Sequence, residues 1–163
     1  MEQEQKINNL PVFAQLSDLS DQQPVTTDPV PVKFNTNDFI SGVKHNEENN
    51  PEDIEIVSDG IYFIVAAGQV GRTSGSLLRF IDLWLSVNDR DVPNSNVRAS
   101  VPSSLVVGDT YVLVCQAVMP FKAGDIIKVM MSVSAINNGM GLLTTKPLNE
   151  PVIPSIIFSM YRV

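Results

Sequence analysis

Residues 53–68 read DIEIVSDGIYFIVAAG, and the interpretation of this stretch decides the fold. Ile, Val, Tyr and Phe dominate residues 54–57 and 61–67, a composition that suits strands. Ser58, Asp59 and Gly60 between them have turn chemistry, so a hairpin is expected. The second strand is apolar on both faces, with Ile61, Phe63, Val65 and Ala67 against Tyr62, Ile64 and Ala66. A strand with one wet face alternates apolar and polar residues. This strand therefore predicts a cover on its second face as well as its first.

The same double pattern recurs at residues 110–119, 126–135 and 156–163. Residues 78–88 differ: Ile81, Leu83, Leu85 and Val87 oppose Asp82, Ser86 and Asn88, with Trp84 beside them. A shorter strand is expected at 97–101 and others at 32–34 and 39–43, with a brief pairing at 142–145. Asn137, Asn138 and Gly139 carry a hairpin signal. Prolines fall between the apolar runs, as a sheet requires. Many short strands separated by turns predict an all-β sandwich or barrel.

Upstream, residues 1–9 are polar, 10–19 fit a short helix or an irregular arm, and 22–31 (QQPVTTDPVP) form an extended connector. The division expected is an arm or linker at 1–29 and a head domain at 30–163. A two-sheet sandwich has one core and leaves its outer faces wet. Several exposed dry strands would be a solubility liability. Either the arm at 10–19 or a neighbouring subunit must cover the second dry face, and the subunit is favoured.

The chain of 163 residues suits one domain and holds a core without disulfide or metal. With 44% hydrophobic and 18% charged residues, the composition is globular. A net charge of −7 opposes binding to phosphate backbones and to anionic membranes, so no nucleic-acid partner is expected. The single cysteine, Cys115, excludes an intrachain disulfide scaffold and is expected to be a buried, inert thiol. The leading MEQEQKINNL lacks the basic and apolar regions of a secretory signal. No apolar run is long enough to span a membrane as a helix.

Catalytic chemistry is not evident. His45, the only histidine, sits in the polar loop 44–53 with Glu47, Glu48, Glu52 and Asp53. No nucleophile elbow accompanies it, so a solvated loop histidine is expected. The acidic run offers oxygen ligands for calcium without the EF-hand spacing, and no other cofactor is expected. Asn88, Asp89 and Asp91 form a second acidic turn. The loop GQVGRTSG at 68–75 lacks the Lys-Ser/Thr ending and helix of a phosphate cradle. Arg72 and Arg79 within or near it are candidates for contact with a partner. Trp84 is expected in the seam between sheets.

In order and spacing, these motifs resemble the tumour-necrosis-factor-like (TNF-like) jelly-roll superfamily, in the branch of the complement globular heads. VPVKFNT (30–36) looks like the family's opening strand, and IEIVSDGIYFIVAAG like its hairpin with a Tyr-Phe strand. IDLWLSVNDRDV (81–92) is similar to its strand and polar turn, and LVCQAVMPFKAGDIIKVMMSV (113–133) to its strand, Gly-Asp turn and next strand. SIIFSMYRV (155–163) resembles its closing strand. The collagen stem that precedes such heads is missing from this sequence, as is any calcium motif.

The resemblance implies a two-sheet antiparallel jelly-roll sandwich with a short irregular N-terminal arm. It implies a homotrimer in which Tyr62, Ile64 and one face of the closing strand, including Tyr161, meet a neighbouring subunit. It further implies a non-enzymatic binding or structural head on a particle or cell surface, such as a spore coat, virion or fibre tip, with a protein or glycan ligand. Candidate binding loops are 44–53, 68–75 and 89–96, with His45, Glu47, Arg72, Asp89 and Asp91 as their chemistry-bearing residues. Two alternatives stand beside this. A cupin-like jelly-roll enzyme or lectin is one, although a cupin metal site needs several inward histidines. A purely structural coat subunit is the other.

Overall fold

A computed structural model describes residues 11–163 of the chain, so the polar segment expected at 1–9 lies outside the described residues. Strands account for all the regular structure there, with no helix among the described residues. In chain order they are β1 (Phe13–Asp18), β2 (Val30–Pro31), β3 (Thr36–Ser41), β4 (Val43–Lys44), β5 (Ile54–Ile56), β6 (Gly60–Gly71) and β7 (Arg79–Val87). There follow β8 (Arg90–Asp91), β9 (Val97–Val101), β10 (Thr110–Phe121), β11 (Ile126–Val133), β12 (Gly141–Leu142) and β13 (Ile156–Arg162).

Two antiparallel sheets form a jelly-roll sandwich. The first runs β10-β6-β13-β1-β3, with β12 also on β6. The second runs β4-β5-β11-β7-β8, with β2 on β11 and β9 on β7. Leu16, Ile64, Phe158 and Met160 from the first sheet and Ile56, Leu83, Ile127 and Val129 from the second meet in one buried cluster. Each large apolar side chain taken fully from water stabilises the fold by about 1.5–3 kcal/mol.

The deciding stretch is two strands and a turn, but not a hairpin. β5 belongs to the second sheet and β6 to the first, so residues 57–59 cross the sandwich. Asp59 holds this corner: its carboxylate accepts the Ala123 N–H at 2.9 Å and the Lys122 ammonium at 3.1 Å. The turn after β10 crosses back in the same way, and residues 137–139 also cross, from β11 to β12, instead of closing a hairpin. Glycine and Asn with positive φ serve any reversal, whichever sheet receives the next strand. A tight hairpin of that kind lies elsewhere. Asn88 and Asp89, at φ 51° and 60°, join β7 to β8 in the manner of a type I′ turn.

The segment expected as a helix or irregular arm contains a strand of the first sheet. β1 lies between β13 and β3, with Phe13 opposite Tyr161, Leu16 opposite Phe158 and Asp18 opposite Ile156. Ala14 and Leu16 are buried while Phe13 and Gln15 are exposed, a period of two that only a strand satisfies. Because β1 extends the sheet sideways, it does not lie over the sheet's outer face. Residues 32–34, expected as the opening strand, are instead a core-filling link: Val32 and Phe34 are fully buried, and the strands flank them. β3 begins already at Thr36, ahead of the strand expected from 39, and β6 continues through Gly71 into the expected glycine loop. Pro120 lies inside β10, which tolerates it because β10 is an edge strand.

Candidate functional site

The outer face of the first sheet is chemically uniform. Register aligns Val118, Phe63, Tyr161 and Phe13 in one row across β10, β6, β13 and β1. The next row is Gln116, Val65, Ser159 and Gln15, and the third is Val114, Ala67, Ile157 and Ser17. None of these side chains is charged. Phe63 and Tyr161 stack with ring centroids 5.4 Å apart at the middle of the first row. Four strands at the usual spacing make the surface about 14 Å wide. The first charge at its margin is Asp38 on β3, which accepts a hydrogen bond from Ser17 at 3.2 Å.

The expected interface residues divide between the two sides of this sheet. Tyr161 is on the outer face. Tyr62 and Ile64 are not: both are completely buried in the protein's own core. The Tyr62 hydroxyl donates to the Ser58 carbonyl at 2.7 Å, and its ring meets Phe121 edge-on at 5.7 Å. The outward set on β6 is therefore Ile61, Phe63, Val65 and Ala67. Period two separates the sets without saying which is inside, and a tyrosine goes inward when its hydroxyl finds a carbonyl there. Phe13, Val112, Val114 and Val118 belong to the outer face too. The strand period in residues 12–16 is the signal that identifies Phe13.

The second sheet presents a different outer face. Asp82 receives a two-pronged hydrogen bond from Arg98, at 2.7 and 2.9 Å, and the guanidinium lies 5.0 Å above the Phe80 ring. Lys128 reaches Asp89 at 2.6 Å and Asp53 at 3.6 Å. The hydrogen bond to Asp89 raises the lysine's pKa. Trp84 is on this face, nearly buried, and donates from Nε1 to Asp91 at 2.7 Å. It shares its side of β7 with Asp82 and Ser86, so it does not fill the seam between sheets.

The remaining candidate residues hold loops in place. The His45 ring lies between Asn37 Oδ1 and the Pro51 carbonyl, and Glu47 accepts the Asn37 N–H. Both thereby fasten the loop 44–53 to β3. Arg72, expected as a surface cation, is almost completely buried. It donates to the carbonyls of Leu77 and Pro102, and its Nε has no partner. Cys115 is buried, and burial pushes its thiol pKa up to about 11, so it stays protonated at neutral pH. Among the described residues no three His, Cys, Asp or Glu side chains gather where they could hold a metal ion. No helix among them is long and apolar enough to cross a membrane. No family model matches the sequence, and no curated protein matches it.

Proposed function

We propose that the chain is a non-enzymatic binding or structural head of the TNF-like, complement-head type, and that it works as a homotrimer on a particle or cell surface. The observation that carries this reading is the uncharged outer face of the first sheet. It answers the need for a second cover that the two-faced strands raise. Residues 13–18 do not supply that cover, because β1 is a member of the sheet itself. A neighbouring copy does. The sheet with the bare face is also the one that contains β1 and β13, and the resemblance assigns such a sheet to the threefold axis. Catalysis has no support from the arrangement of side chains: the sole histidine fastens a loop, and the sole thiol is buried.

The test is absolute mass in solution. The wild-type chain is expected at three times its 17.9 kDa protomer mass. Ile157→Glu places a charge in the third row of the bare face, at a position already exposed in the protomer, and is expected to leave a folded monomer. A monomeric wild type sinks the trimer.

A further inference from the structure

Asn138-Gly139 is the sole Asn-Gly pair in the chain. It lies in the crossing from β11 to β12 and holds two other segments in place. The Asn138 carbonyl accepts the Ser74 N–H at 3.0 Å, and the Gly139 carbonyl accepts Gln23 Nε2 at 2.8 Å. Beside them, Gln22 and Leu142 exchange both backbone hydrogen bonds, at 2.8 and 3.0 Å. The connector 22–31 and the loop 73–78 are therefore tied to the same short piece of chain.

The local geometry sets a backbone nitrogen against a side-chain carbon. Asn138 Oδ1 accepts the Met140 N–H at 3.3 Å, which folds the carboxamide over the 138–139 peptide. That hydrogen bond also draws electrons from Cγ and makes it a better electrophile. The nucleophile is the Gly139 nitrogen, whose N–H donates to no acceptor among the described residues. Ring closure between these two atoms makes a five-membered imide, and glycine brings no Cβ to obstruct it. The fold requires glycine at this position. Its φ is 63°, and a Cβ there would collide with Thr73 Oγ1. The reactive pair is thus imposed by the packing of the crossing against residues 22–23 and 73–74.

We propose that Asn138 is a self-modification site, at which loss of the carboxamide releases the connector 22–31 and the loop 73–78 from the crossing. The Gly139 nitrogen gives up its proton and bonds to Cγ. The bond from Cγ to Nδ2 breaks, and that nitrogen leaves as ammonia. Water then opens the cyclic imide at either carbonyl and leaves aspartate or isoaspartate at position 138. The sequence of steps needs water alone as co-reactant. Both products add a negative charge to a chain already at −7. Isoaspartate also routes the backbone through the side-chain carbon. The carbonyl that accepted Ser74 becomes a free carboxylate, and Gly139 is displaced from Gln23. Ammonia does not return, so the modification accumulates with the age of the chain. Neither step uses the bare face, so the site stands or falls apart from the trimer.

Asn46 is the internal comparison. Its Oδ1 accepts the N–H groups of Glu48 and Asn49, both at 2.9 Å, so its side chain is turned the same way. It is more exposed to water than Asn138, but Glu47 follows it and carries a Cβ beside the nitrogen.

The test is peptide mapping by mass spectrometry of the full chain, fresh and after prolonged warm storage at mildly alkaline pH. Asn138 is expected to convert about tenfold or more faster than Asn46, a barrier lower by about 1.4 kcal/mol. Conversion is expected to quicken as pH rises, because the attacking nitrogen must lose its proton. Hydrogen exchange in 22–31 and 73–78 is expected to speed up in the stored wild type. In stored Asn138→Gln, whose longer side chain closes a larger ring, exchange is expected to stay as in the fresh variant. An unconverted Asn138, or conversion no faster than at Asn46, overturns the site. Conversion that leaves exchange in 22–31 and 73–78 unchanged overturns the release. If Asn138→Gln does not fold, the two asparagines of the wild type decide the question between them.

Discussion

The two outer faces of this sandwich lie over the same core and obey opposite rules. On the second sheet charged side chains answer one another across strands and loops: Arg98 with Asp82, and Lys128 with Asp89 and Asp53. Trp84 is there too, and Asp91 takes its N–H. On the first sheet the corresponding rows contain no charge at all. A wet face tolerates ion pairs because water screens them and they contribute little to stability. A face destined for cover excludes charge, since a charge without a partner is costly to dehydrate. The difference between the faces thus separates a surface built to end in solvent from one that the proposed trimer would cover.

The largest expected effect comes from placing the same charge on each face. Val65→Glu at the centre of the bare face is expected to convert trimer to monomer, as light scattering would show. Ser132→Glu, on the outer side of β11, is expected to leave the mass unchanged. If both variants stay trimeric, the assembly uses some other surface and the contrast between faces has a different cause. Next in size is a comparison within β6. Ile64→Ala removes a fully buried side chain and is expected to cost about 2–5 kcal/mol in denaturant unfolding. Ile61→Ala, on the outer side, is expected to cost well under about 1 kcal/mol in a monomeric background. Equal losses would mean that the inward set has been assigned to the wrong side.

Residues 61–67 show what could be read from sequence and what could not. Their lack of polar alternation marked both faces of the strand as dry in the sequence alone. The same pattern did not tell Tyr62 from Phe63, because both sets are bulky and the choice depends on a carbonyl at Ser58 that only the fold supplies. The strand order was hidden in a similar way. Turns at 57–59 and 137–139 carry ordinary reversal chemistry, and whether a chain returns to its own sheet or crosses is set by packing. β1 escaped notice because Phe13 and Leu19 add apolar residues outside the buried Ala14 and Leu16, which blurs the period. Arg72 was misplaced by the usual exposure of arginine. Of the candidate site, Tyr161 and the two-sided closing strand were legible, and the rest needed register.

Arg72 extends the comparison from faces to ends. It is a buried cation without a carboxylate, held by carbonyls from two loops. Arg72→Ala leaves the carbonyls of Leu77 and Pro102 without these donors, a loss of about 1–3 kcal/mol for each buried acceptor that water cannot reach. Hydrogen exchange is expected to quicken in residues 73–78 and 102–108 while β6 and β13 stay protected. Uniform loss of protection would mean that Arg72 supports the whole core and not the loops.

The smallest effect concerns the corner that carries the chain from one sheet to the other. The Ala123 N–H, followed by Lys122, lowers the pKa of Asp59 from its ordinary 3.8. A carboxylate with a depressed folded pKa favours the folded state above its unfolded value, and that contribution fades as pH falls through the folded value. Asp59 is fully exposed, so screening keeps the contribution small. Asp59→Asn keeps an oxygen to accept the Ala123 N–H but removes the charge. The wild type and this variant are therefore expected to differ in melting temperature at pH 7 and to converge as pH falls below 3.8. A difference that persists into acid would assign the corner to shape and hydrogen bonding alone. Convergence would show that charge latches the crossing, in contrast to the bare face, whose three rows offer no charge for a latch.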